Sequence, residues 1–224
     1  MSRRNRRAEI IKAARALFVA KGYENTSVRN ILEKADATTG TFYHQFESKQ
    51  ALLVAVIDDI GAEMEQIVAP VMMAQSISAI ERYQRLVQAD NAYRQAEHGV
   101  IYQVWKALES DENWRLVNRL RQKGNLIYIP ALTQIIQQGN EEGVFDVVHV
   151  SETAELLLHN CRFAQTAFLH IWHNIDQYDD PVASATQKMS VTQTVVDQLV
   201  GASLGALLLL DKQAVLRILT SLTS

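Results

Sequence analysis

One stretch, residues 26–49, constrains the chain more than any other: T-S-V-R-N-I-L-E-K-A-D-A-T-T-G-T-F-Y-H-Q-F-E-S-K. It reads as two short helices joined by a tight turn. The Thr26 hydroxyl is expected to cap the first helix by accepting from unpaired N–H groups of its first turn. Val28, Ile31 and Leu32 recur at helical spacing and give that helix one apolar face. Ala35, Asp36 and Ala37 interrupt the pattern with small, turn-compatible residues. Thr38 then caps a second helix whose Phe42 and Phe46, four residues apart, face inward. Thr39, Gly40, Thr41, Tyr43 and His44 remain on its outer face. Small side chains let a helix backbone approach a partner closely, and hydroxyl and imidazole groups reach phosphates and base edges, so this face suits a DNA groove.

Charge is distributed to match. The formal net charge of the 224-residue chain is −3, which looks wrong for a DNA binder until the chain is divided. Residues 1–49 hold ten Lys/Arg against five Asp/Glu, a net +5, and residues 50–224 are net −8. A basic head on an acidic body is expected where only the head meets phosphate. The Arg-rich residues 2–7 form a basic arm for the minor groove or the phosphates.

Here the sequence resembles the TetR family of bacterial transcriptional regulators. The family pattern runs roughly T-x-x-x-I-x-x-x-A-G-V-S-x-G-T-x-Y-x-x-F-x-S-K. It is carried here by Thr26, Ile31 (one place late), Ala35, Thr38, Gly40, Thr41, Tyr43, Phe46, Ser48 and Lys49. Two positions depart from it: Asp36 stands where the family has Gly in the turn, and Thr38 replaces Ser. Asp tolerates a left-handed backbone better than most residues, and Thr keeps the capping hydroxyl. The resemblance covers about the first fifth to quarter of the chain. It implies an all-α fold, with a helix-turn-helix DNA-binding domain at 1–47 and a helical ligand-binding and dimerisation domain at 48–224.

It also implies roles for residues. Thr39, Thr41 and His44 are the expected base or groove contacts, Thr38, Tyr43 and Lys49 hold phosphates, Gly40 lets the helix sit close, and Arg29 reaches base or backbone. A lysine in the first turn of a helix opposes the helix dipole, so local stability does not explain Lys49, whereas a phosphate contact does. The implied partners are double-stranded DNA, a second copy of the chain and a small hydrophobic effector. The implied activity is that of a ligand-responsive repressor on a palindromic operator. A second reading keeps DNA binding constitutive and gives the body to protein contacts.

The remainder reads as helices almost throughout, with few breakers: 9 Gly and 3 Pro in the whole chain. The first helix is expected from Arg6 to Ala20, ending at Gly22, and a long one from Ser48 to Val68, stopped near Pro70. Further spans are expected at 76–96, 99–109, 112–140 (kinked or broken at Pro130), 150–173, 188–209 and 211–222. Residues 174–187 read as an acidic loop. Gly201, Gly205, Ala202 and Ala206 at four-residue spacing suit close helix approach. The resemblance places the dimer interface on 150–173 and 188–209.

Tyr102, Trp105, Tyr128 and Phe163 are the first choices for effector-pocket walls, set against the plain reading that such aromatics fill a core. His170 and His173 lack the further ligands a zinc site needs, so no metal is expected. Neither a nucleotide loop nor a hydrolase motif occurs, so neither catalysis nor a cofactor is expected. Cys161, the single cysteine, reads as a packed thiol in a reducing cytoplasm. The longest apolar run, 204–210, is far too short to span a membrane.

Overall fold

The computed structural model describes residues 3–96 and 114–208, and within them every regular element is helical. The order is α1 (Arg3–Lys21), α2 (Val28–Ala35), α3 (Thr39–Gln45), α4 (Lys49–Met73), α5 (Ala79–Ala96), α6 (Trp114–Glu141), α7 (Val150–His173), a 3-10 turn (Ile175–Gln177) and α8 (Pro181–Leu199). The helices expected at 99–109 and 211–222 lie outside the described residues, as do Tyr102 and Trp105. The chain divides into two compact units, Met1–Gln66 with Tyr93–Asn125, and Ile67–Ala92 with Leu126–Ser224.

The first unit is built around the head. Ile10, Ala14 and Phe18 of α1, Ile31 and Leu32 of α2, Phe42 and Phe46, and Leu52, Leu53 and Val56 of α4 form one buried cluster. Phe42 and Phe46 lie with ring centroids 5.7 Å apart. α1 ends as expected at Gly22, whose φ of 80° allows its N–H to bond the Phe18 carbonyl at 3.0 Å. In the same unit Arg15 reaches Glu63 of α4, and both meet the Tyr93 hydroxyl of α5. Partial burial works against both charges. The hydrogen bonds and mutual attraction outweigh it, so the Arg15 pKa is raised and the Glu63 carboxyl is held below its ordinary value.

In the second unit, α5 and α6 run antiparallel. Ala79 N–H meets Glu142 at 2.9 Å, Arg82 meets Gln138 at 2.8 Å, and Tyr128 meets Asp90 at 2.8 Å. α7 and α8 pack along each other, and Ile171, Ala185 and Met189 are the buried centre of that contact.

Several sequence expectations are corrected. Pro70 does not stop α4, which continues to Met73. Arg82 donates to the carbonyls of Val71, Met72 and Ala74 at 2.7, 3.0 and 2.8 Å, and so satisfies acceptors that a helix end otherwise leaves open. α6 likewise runs unbroken through Pro130. The acidic loop expected at 174–187 is mostly helical. Asp180 caps α8 by accepting from Ala183 N–H at 2.8 Å, and Pro181 occupies the first turn, where its missing N–H costs nothing.

α8 therefore starts earlier than the expected 188 and ends at Leu199 rather than 209. Gly201 and Gly205 do not form a small-residue helical face: their φ values of 68° and 86° belong to a loop. The fully buried Asp197 holds that loop, accepting from Gly205 N–H at 2.6 Å and Leu207 N–H at 2.9 Å.

Candidate DNA interface

α2 begins one residue later than expected. Ser27, not Thr26, is its cap: Ser27 Oγ accepts from Asn30 N–H, and Asn30 Oδ1 accepts from Ser27 N–H, both at 3.1 Å. The reciprocal pair satisfies two otherwise open donors. Thr26 is instead buried, its hydroxyl donating to the Gly22 carbonyl at 2.7 Å. It fastens the end of α1 to the start of α2. Both residues carry a hydroxyl, so only the Asn at 30 distinguishes the two registers.

The turn closes at Asp36, with φ 47° and ψ 51°, the left-handed conformation in which the family pattern has Gly. Its N–H bonds the Leu32 carbonyl, and Ala37 N–H bonds the same carbonyl at 3.0 Å. From α1, Arg6 reaches the Asp36 carbonyl at 3.3 Å. The sequence alone did not reveal that brace.

Thr38 caps α3 as expected, accepting from Thr41 N–H at 3.2 Å, and the two hydroxyls share a hydrogen bond of 2.9 Å. Phe42 is fully buried beneath this helix, and the edge-on ring of Tyr43 lies 5.2 Å from it, centroid to centroid. Tyr43 is nevertheless 59% exposed, and Thr39, Gly40 and His44 are exposed with it, while Thr41 is partly covered. A Cβ placed on Gly40 would meet only Thr38 Oγ1, at 3.9 Å, so nothing inside the head requires a glycine there.

A cleft of about 620 Å³ runs between α2 and α3, lined by Arg29, Glu33, Asp36, Thr38, Thr39 and Tyr43 among others. It gathers four of the eight expected contact residues. Arg29 pairs with Glu33 one turn on, Nε to Oε1 at 2.9 Å. Lys49 lies at the start of α4. Its ammonium is 4.2 Å from the Tyr23 ring centroid and donates to the Glu24 carbonyl at 3.4 Å. Partial burial lowers its pKa, against the opposing pull of the Glu24 charge. Lys49 therefore has intramolecular partners that the sequence reading omitted. Arg7, from the basic arm, stacks 5.2 Å over Phe46.

In the second unit, Tyr128 is buried and its hydroxyl donates to Asp90. Phe163 is 62% exposed on α7. Cys161 Sγ lies 3.6 Å from the Tyr83 hydroxyl. The side chain of His170 pairs with Tyr178 at 3.1 Å. Gln165 Oε1 is buried with no hydrogen-bond partner among the described residues, a feature that helical periodicity did not single out. No described helix is long and apolar enough to cross a membrane.

The head's pattern is that of a known family: the model for bacterial regulatory proteins of the tetR family matches residues 10–56. The HTH-type transcriptional repressor KstR2 of Mycobacterium tuberculosis is 30% identical over 151 residues, covering 63% of this chain and 70% of the relative. The fold matches FadR of Bacillus subtilis in complex with stearoyl-CoA, with a TM-score of 0.62, 18% identity, and coverage of 88% of this chain and 98% of that one. It matches a TetR-family regulator from Syntrophomonas wolfei similarly, at TM-score 0.61 and 20% identity over 87% and 96% of the two chains. With the capped helix-turn-helix head and the helical body, these likenesses mean that the chain belongs to the TetR family of bacterial transcription regulators, DNA-binding proteins and not enzymes.

Proposed function

We propose that the chain is a ligand-responsive repressor that binds a palindromic operator as a homodimer and is released by a small hydrophobic effector. The observation that carries the reading is the outer face of α3. Phe42 and Phe46 anchor the helix, while Thr39, Gly40, Tyr43 and His44 stand exposed on a capped, rigid element. Thr39, Thr41 and His44 meet base edges, Thr38, Tyr43 and Lys49 hold phosphates, and Arg29 reaches base or backbone. Residues 1–47 act as the DNA-binding domain, and residues 48–224 sense ligand and dimerise in the cytoplasm.

The dimer reading draws on α7 and α8, which expose Leu156, Phe163, Val191 and Val195. Apolar side chains gathered on paired helices call for a cover, and a second copy of the same pair supplies it. Phe163 is thereby moved from the pocket walls to the dimer face. The effector reading draws on KstR2, a repressor by name, and on FadR with its bound stearoyl-CoA. The part-buried Tyr128–Asp90 pair and the Gln165 oxygen, which has no hydrogen-bond partner among the described residues, are candidate polar contacts for such a ligand. A ligand shifts the equilibrium only if it prefers the non-binding arrangement.

The test is binding of the purified chain to fragments of its own genomic neighbourhood, with a salt titration and Tyr43→Ala as control. Dimer-stoichiometric binding centred on a palindrome, lost in the variant and reversed by an apolar small molecule, is the expected result. Binding indifferent to sequence and to Tyr43 would remove the reading.

A further inference from the structure

We propose that Glu33 is a specificity-determining residue: its carboxylate holds Arg29 and, together with Asp36, weakens the hold of the head on phosphate that lacks the right sequence. The inference rests on the α2–α3 face being the DNA-reading surface.

Glu33 and Arg29 are 61% and 87% exposed at the side chain, and the pair spans one turn of α2. An exposed pair of this kind contributes little to folding, so the head does not need Glu33 for its shape. Its location is what distinguishes it. The cleft that Glu33 lines also contains Arg29, Thr38, Thr39 and Tyr43, and its second acid is Asp36. A surface expected to meet a polyanion therefore carries two acidic residues in the cleft that Arg29 lines, and Glu33 is already bonded to its guanidinium.

Generic DNA affinity comes from phosphates neutralised by basic side chains, and every duplex offers those phosphates. A carboxylate that keeps Arg29 paired withholds that cation from phosphate on generic DNA. Base-edge contacts from α3 seat the head closely enough to draw Arg29 away from Glu33 only on the correct operator, so the penalty falls chiefly on generic DNA and the ratio of specific to generic binding rises. The Arg29–Glu33 bond is exposed and readily exchanged, so Arg29 is released to DNA once the rest of the face has docked. The Glu33 side chain serves as a temporary seat for the cation.

The experiment uses the full-length protein, an operator selected by the wild-type chain from a random duplex library, and a scrambled duplex of equal length. Salt titrations are run on wild type, Glu33→Gln, Arg29→Ala, the double variant and Tyr43→Ala. Glu33→Gln is expected to bind the scrambled duplex about tenfold more tightly at low salt, with a salt slope steeper by about one. The operator-to-scrambled ratio falls, and the thermal midpoint stays unchanged. In the double variant the added slope disappears, because the released cation is gone.

Unchanged scrambled-duplex affinity in Glu33→Gln would overturn the inference. So would a change confined to the operator, since Glu33 would then be reading a base. Survival of the added slope in the double variant would also overturn it, since Arg29 would not be the cation that Glu33 restrains. If instead Tyr43→Ala leaves operator binding intact, the assignment of the DNA face itself fails. The two failures are therefore distinguishable.

Discussion

Arg15 grips Glu63 with both arms of its guanidinium, Nη1 to Oε1 at 2.6 Å and Nη2 to Oε2 at 3.0 Å. The pair joins α1 to α4, and the Tyr93 hydroxyl of α5 closes the group by donating to Glu63. Removing Arg15 leaves a partly buried carboxylate without its cation. Arg15→Met is expected to destabilise the chain by about 2 kcal/mol, discounted from the fully buried case because Glu63 remains about a third exposed. Denaturant unfolding at neutral pH measures it.

The same group predicts two pH edges. The Glu63 carboxyl is held below its ordinary value of 4.5. Its contribution is therefore complete above that value and is lost as pH falls through the lower folded one. Tyr93 behaves oppositely: burial and the Glu63 hydrogen bond raise it from 10.0 to about 12, against the pull of Arg15. Its contribution is complete below pH 10 and is lost as pH rises toward about 12. Tyr93→Phe should flatten the alkaline edge and Glu63→Gln the acid one, both read from the thermal midpoint against pH.

Gly40→Ala separates folding from binding. The added methyl has room, and alanine is the better helix former, so stability should rise by about 0.5–1 kcal/mol. Operator affinity should fall, because the methyl intervenes between the helix and the groove. Thermal melting and operator titration on one sample test both signs. A fall in stability would show that the glycine serves the fold.

Gly139 and Gly61 make a contrasting pair. A Cβ at Gly139 would overlap the Phe145 ring, which is itself packed and buried. Gly139→Ala should cost about 3 kcal/mol through displacement of that ring. A Cβ at Gly61 would overlap the side chain of Lys123, a flexible stem that can swing aside. Gly61→Ala should be within about 0.5 kcal/mol of wild type. Chemical denaturation of the two variants decides it.

Asp197 is the fully buried acceptor for the loop that follows α8. Asp197→Ala strands the buried Leu207 N–H and the part-buried Gly205 N–H and should cost about 2–4 kcal/mol. Hydrogen exchange should accelerate first at Gly205 and Leu207. Uniform loss of protection across α7 and α8 would contradict a local role.

The head was legible because its determinants are local. A cap, a turn and two inward phenylalanines lie within 24 consecutive residues, and the structure keeps that arrangement apart from the shift of one cap from Thr26 to Ser27. What escaped the sequence was what another element supplies. Pro70 reads as a stop in the sequence because Arg82, which holds the carbonyls, arrives from the next helix. The glycines at 201 and 205 matched a helical spacing, but a buried acid at 197 holds them in a loop. Tyr128 and Phe163 have similar ring chemistry and helical contexts, yet one is buried and the other stands outside, a distinction set by tertiary packing. The sequence around Lys49 points only outward, because its stack on Tyr23 crosses 26 positions of sequence.

That last stack has a kinetic consequence. A lysine free in solvent samples many rotamers and must be fixed when it meets a phosphate, which costs conformational entropy at the moment of docking. Lys49 is already confined by an aromatic face and a carbonyl and partly stripped of water before DNA arrives. For the proposed phosphate contact, this ordering belongs to folding rather than to the encounter. The benefit should therefore be seen in dwell time: loosening the stack by Tyr23→Leu would shorten residence on the operator while leaving the rate of arrival, set by overall charge, almost unchanged.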